Sequence, residues 1–169
     1  MSVDERAADQ RAATASLVAG YTYGTIIVLS VIVAGAKAYP GSAGRIAVLV
    51  GATAVVFWLA HVYADGLGHS VAHDRRLTMR ELGGIARREA AIVEAAVLPL
   101  AALLLGALDV LATKTSLWLA FGLGLAMLFA QALRYARMER LDLLATLLIL
   151  AANMGLGLVL IALKLLVAH

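Results

Sequence analysis

Cysteine is absent, so the chain has no disulfide framework, no thiolate metal site and no catalytic thiol. Charge is scarce as well. Asp, Glu, Lys and Arg make up 15% of 169 residues. A soluble domain carries roughly a quarter. Proline occurs twice, at Pro40 and Pro99, and aromatic residues reach only 6%. No GxxxxGK[ST] or GxGxxG phosphate loop appears. What remains is apolar: 63% of residues are hydrophobic, and the mean hydropathy is +0.92. Too few polar residues are left to cover a water-facing surface. The composition predicts a single-domain, multi-span membrane protein. Its formal net charge of +3 then speaks to topology and anionic lipid headgroups, not to nucleic acid.

A spanning helix needs about 20 mostly apolar residues. Five segments qualify: 17–36, 46–64, 91–111, 117–133 and 143–167. The predicted fold is an all-α bundle of five transmembrane helices. Residues 1–16 form a polar tail with Asp4, Glu5, Arg6, Asp9 and Arg11. That is unlike the short basic start of a cleavable signal. Tyr39-Pro40-Gly41 punctuates the first connection. The second connection, 65–90, is long and arginine-rich. Within it, Thr78-Met79-Arg80-Glu81 fits a capping box. Leu82, Ile85 and Ala86 oppose Arg80, Arg87 and Arg88, as in a short helix at a membrane interface. An ordinary solvated helix reads the same way, and Gly83-Gly84 offers a break.

Topology follows from the cations. With the N-terminus on one side, that side holds ten of the 14: Arg6, Arg11, Arg75, Arg76, Arg80, Arg87, Arg88, Arg134, Arg137 and Arg140. The other holds Lys37, Arg45, Lys114 and Lys164. Cytoplasmic loops carry the excess of Lys and Arg. The expected placement is a bacterial inner membrane, N-terminus cytoplasmic and C-terminus external.

Ionisable groups inside a bilayer are costly and mark function by default. His61, Asp65, His69 and His73 recur at four-residue steps. On a continuous helix, neighbours in that series share a face. The face drifts by about 40° per step, so His61 and Asp65 can act together more easily than His61 and His73. Gly66 and Gly68 offer the helix a place to end between them. Glu94 lies about 6 Å inside the third helix, at a depth similar to His61. Arg134 and His61 are its expected partners. Gln131 and Tyr135, with Tyr21, Thr22 and Tyr23, bring polar groups to the same end.

Three functions fit this cluster. The leading one is movement of protons or small cations, with His61 and Glu94 carrying the ion, Asp65 tuning His61 and Arg134 balancing Glu94. The second is a metalloenzyme holding a divalent metal on His61, Asp65, His69 and Glu94. The third is a scaffold whose arginines bind acidic lipid or a partner. Pro99 is expected to kink the third helix, and Asn153 to hydrogen-bond across helices. Small-residue spacings at Gly20-xxx-Gly24, Gly122-xxx-Ala126 and Ala151-xxx-Gly155 suit close packing within one chain or a homo-oligomer.

Two stretches carry a resemblance. One is Phe57-Trp58-Leu59-Ala60-His61-Val62-Tyr63-Ala64. The other runs from Arg88 to Pro99 and is followed by Leu103-Leu104-Leu105-Gly106. Together they resemble a group of small bacterial multi-span membrane proteins without an assigned activity. The resemblance covers the second to fourth helices and implies that His61, Glu94 and Pro99 belong together.

Overall fold

The structure, a computed structural model, describes residues 3–73 and 77–167. Arg75 and Arg76, with the side chains of His73 and Lys164, lie outside the described part. Among the described residues there are six helices and no strand. They are α1 (Val3–Ala38), α2 (Ala43–His73), α3 (Met79–Arg88), α4 (Ala91–Ala107), α5 (Thr113–Met138) and α6 (Leu143–Val167).

The all-helical membrane character stands. The boundaries differ from those expected. The polar tail from residue 3 onward is part of α1, as its alanines favour helix. α2 runs unbroken through Gly66 and Gly68 to His73. Leu77 covers Gly66, its Cδ1 3.1 Å from where a Cβ would stand. Packing there holds a helix that the glycines alone would weaken. Thr113 to Thr115, ahead of the predicted segment 117–133, form the first turn of α5.

Three helical stretches are long and apolar enough to cross a membrane: Thr14–Ala38, Ala43–Ala72 and Thr113–Met138. α4 has 17 residues and qualifies only when joined to α3, across a bend of 46°. The apolar stretch described in α6, Leu143–Val159, is shorter than a span. The expected count of five therefore rests on α4 and α6, the two that fall short alone. The bend lies at Glu89–Ala90. α4 continues through its buried Pro99 as one helix. That bend lies about two and a half turns before Pro99.

The core lies between α1, α2, α4 and α5. Leu29, Ile32, Ile46, Leu103, Phe121 and Leu128 fill it. Its two buried hydroxyls bond to their own helices. Thr25 donates to the Tyr21 carbonyl at 2.7 Å, and Ser116 to that of Thr113 at 2.9 Å. α6 packs on α1 and α5 from outside. The short links 39–42, 108–112 and 139–142 reverse the chain, which gathers the end of α2, all of α3, the starts of α4 and α6 and the end of α5 around the first half of α1.

α3 is built as its sequence requires. Thr78 Oγ1 accepts from the Glu81 amide at 3.3 Å, and Glu81 Oε2 accepts from the Thr78 amide at 2.9 Å. The capping box is complete. Ile85 is buried while Arg80, Arg87 and Arg88 are exposed. From α2, the Trp58 indole N–H donates to the Ala86 carbonyl at 3.0 Å. Removing that donor with Trp58→Phe forfeits a bond worth about 1 kcal/mol. Amide exchange across residues 79–88 should then quicken about five-fold. Unchanged exchange would show that α3 is held without it.

Candidate functional site

The polar cluster divides around α1. Tyr21 and Tyr23 are two positions apart, about 200° on a helix, so they leave α1 on different sides. The Tyr21 hydroxyl donates to Glu94 Oε2 on α4. The Tyr23 ring meets the His61 imidazole of α2, with centroids 5.1 Å apart and planes tilted by 52°. Phe57 completes the aromatic group, 6.4 Å from Tyr23.

Two glycines bring α1 and α4 close enough for the phenol to reach. A Cβ on Gly20 would stand 3.0 Å from the Ala91 Cβ. One on Gly24 would stand 2.8 Å from the Ile92 carbonyl oxygen. The first small-residue spacing is therefore a helix crossing within the chain. Gly122 and Gly155 meet nothing within 4 Å. The other two spacings do no such packing here.

Glu94 is exposed on the bundle surface. Its hydrogen-bond partner is neither of the two expected. Among the described residues no ion pair within 4.0 Å joins it to Arg134 or His61. Arg134 is exposed and lines a recess with Ala130, Leu133, Arg137 and Met138. Its charge still acts on Tyr21, as does that of Glu94. The phenol thus sits in the field of one anion and one cation. Tyr21 was visible in the sequence only as a polar residue at the right end. Nothing in the residue order gives the azimuth that aims it at Glu94.

His61 Nδ1 lies 2.9 Å from the Phe57 carbonyl, one turn back on α2. A carbonyl only accepts, so Nδ1 carries the proton. This leaves Nε2 as the acceptor, a tautomer assigned from that bond. Asp65 follows one turn later on the unbroken α2 and is exposed. His69 is drawn away towards α3, its Nε2 3.8 Å from Glu81 Oε1. Among the described residues no three of His, Asp and Glu gather as a metal would need. The set His61, Asp65, His69 and Glu94 is accordingly not assembled as a metal centre. His69 and Glu81 meet at the α2–α3 junction, and Glu94 lies against α1.

Two further recesses flank the site. Arg87 and Arg88 line one of about 230 Å³ together with Ser16 and Leu17. The second, of about 620 Å³, lies between α1, α5 and α6. Asn153 lines it, yet its amide donates to the Ile149 carbonyl of its own helix at 3.2 Å. The expected bond across helices is not made. No family model, curated protein or solved structure matches this chain.

Proposed function

We propose that this membrane protein moves protons, with Glu94 as the carrier. The observation that carries the reading is a carboxylate in the first turn of the apolar α4 whose hydrogen-bond partner is a phenol. A lone carboxylate at that depth is costly and is most readily kept for a proton pathway. The pair can reverse its bond without separating. While Glu94 is ionised, Tyr21 donates to it. Once Glu94 takes up a proton, its own O–H can donate and the phenol oxygen accepts. His61, with Nε2 left as an acceptor beside Tyr23, is a second proton-accepting group at the same end of the bundle. Asp65 lies one turn away on α2, and Arg134 offsets the Glu94 charge at longer range.

The reading includes five spans in a bacterial inner membrane, with the arginine-rich end in the cytoplasm. The recess of Arg87, Arg88 and Ser16 suits the phosphate of an anionic lipid there. A reporter fused after Arg76 should behave as cytoplasmic and one after His169 as external. The opposite result at either position overturns the five-span arrangement.

Transport is tested in vesicles holding a pH-sensitive dye, with a potassium gradient and valinomycin to drive protons. Vesicles with the protein should acidify several times faster than empty ones. Equal rates would end the proposal.

A further inference from the structure

A recess of about 580 Å³ lies between the N-terminal part of α1 and the end of α5, and the Tyr21–Glu94 pair makes no use of it. Its volume falls in the range of roughly 300–1,000 Å³ typical of small-molecule pockets. Gln10, Arg11 and Thr14 line it from α1, and Met138, Glu139 and Arg140 from the end of α5. Gln10, Arg11, Glu139 and Arg140 are all exposed, so a molecule outside can reach them. The Thr14 hydroxyl is engaged with the Gln10 carbonyl at 2.8 Å. The three charges are not. Among the described residues, none of Arg11, Glu139 and Arg140 has an ion pair within 4.0 Å.

Arg140 stands where glycine is usual. The Leu141 amide donates to the Ala136 carbonyl at 3.0 Å, and the Arg140 amide to that of Arg137 at 3.4 Å. These bonds close α5 in a Schellman motif, whose left-handed residue is most often glycine. Here that residue is Arg140, at φ 50°. The long side chain is held at a backbone cost, and it lines the recess. The level is also informative. Thr14 opens one stretch long and apolar enough to cross a membrane, and Met138 closes another. Arg11, Glu139 and Arg140 therefore stand just beyond two apolar stretches, the depth at which phospholipid headgroups lie.

We infer that this recess binds one phospholipid whose phosphate carries a primary amine, as in phosphatidylethanolamine. Arg11 and Arg140 donate to the phosphate oxygens, a contact that guanidinium groups suit. Glu139 accepts from the ammonium. A head with phosphate alone would leave Glu139 facing an anion. A head without phosphate would leave both arginines unmatched. The acyl chains follow the apolar stretches that begin at Thr14 and end at Met138.

The experiment uses the full chain in detergent micelles and native mass spectrometry. The probes are phosphatidylethanolamine, phosphatidylglycerol with the same acyl chains, and soluble phosphoethanolamine. Phosphatidylethanolamine should saturate at one equivalent per chain. Phosphoethanolamine, which lacks the chains, should bind at least ten-fold more weakly. Glu139→Gln should weaken phosphatidylethanolamine about five-fold, the loss expected for one exposed ion pair, and should not weaken phosphatidylglycerol. Arg140→Gly should weaken phosphatidylethanolamine by a similar factor while the melting temperature holds or rises, since glycine suits that backbone. Arg88→Gln, in the other arginine-lined recess, should leave phosphatidylethanolamine binding unchanged. The inference is overturned if this lipid fails to saturate, if phosphoethanolamine binds as tightly, or if Glu139→Gln weakens both lipids alike or neither. It is also overturned if Arg140→Gly binds as the wild type does, or if Arg88→Gln weakens binding as much. Proton flux plays no part in the readout, so failure here leaves the Glu94 reading untouched.

Discussion

Glu94→Gln is expected to reduce proton flux in reconstituted vesicles at least ten-fold, to near the level of empty membranes, while leaving the fold intact. The amide has nearly the same shape as the carboxylate and can still accept from the Tyr21 hydroxyl. It cannot take up and release a proton near neutral pH. Structure and transport are therefore separated by one atom. Glu94→Asp keeps a titratable group on a shorter arm and should retain partial flux. Tyr21→Phe removes the donor, costs about 1 kcal/mol, and should slow flux without abolishing it. Because Arg134 makes no direct pair with Glu94, adding Arg134→Gln to Glu94→Gln should recover no thermal stability. Wild-type flux in Glu94→Gln would reduce the carboxylate to a helix fastener. Recovered stability in the double variant would reveal an ion pair in solution.

Gly24→Leu should be the most destabilising single change on α1. The first carbon added would stand 2.8 Å from the Ile92 carbonyl oxygen, 3.0 Å from its Cα and 2.9 Å from the Ala95 Cβ. Two of those three atoms are backbone, which cannot rotate aside. α1 and α4 must separate, and overpacking of this kind costs about 1–3 kcal/mol, with the full isobutyl group at the upper end. The melting temperature in detergent should fall by several degrees. Flux should fall with it, since Tyr21 reaches Glu94 from one turn earlier on the same helix. Gly122→Leu is the control, because its Cβ meets nothing within 4 Å. Equal loss at both positions, or none at Gly24, would show that the crossing is not held by this glycine.

These two glycines also show how far residue order reaches. Each belongs to a small-xxx-small spacing, and the spacings read alike. Only one faces another helix, because a four-residue repeat records that two positions share a side and not what lies opposite. Local features were legible. The capping box at Thr78 and Glu81 depends on four consecutive residues and stands as read. The apolar segments were legible too, since length and hydropathy are sums over neighbours. Helix ends were not. Gly66 reads as a stop, but Leu77 and Leu82 pack over it from beyond the helix. The site was legible as a depth and not as a set of contacts. Glu94 and His61 were found, whereas Tyr21 and Tyr23, which separate them to different sides of α1, were passed over as companions. Charge directed attention to Arg134 as partner when geometry had placed a phenol there.

The 46° bend between α3 and α4 has a mechanical consequence. α3 has no counterpart at the opposite end of the bundle, where Tyr39 to Ser42 and Leu108 to Ala112 make tight turns. Among the described residues, α3 is thus an extra helix at the arginine-bearing end alone. In a bilayer it would displace more area from one leaflet than from the other, as a wedge does. Such a shape is relieved by curvature that spreads the headgroups of the crowded leaflet. Lateral tension and lipid shape, quite apart from any charge, then become forces that can press α3 towards the bundle or let it swing away.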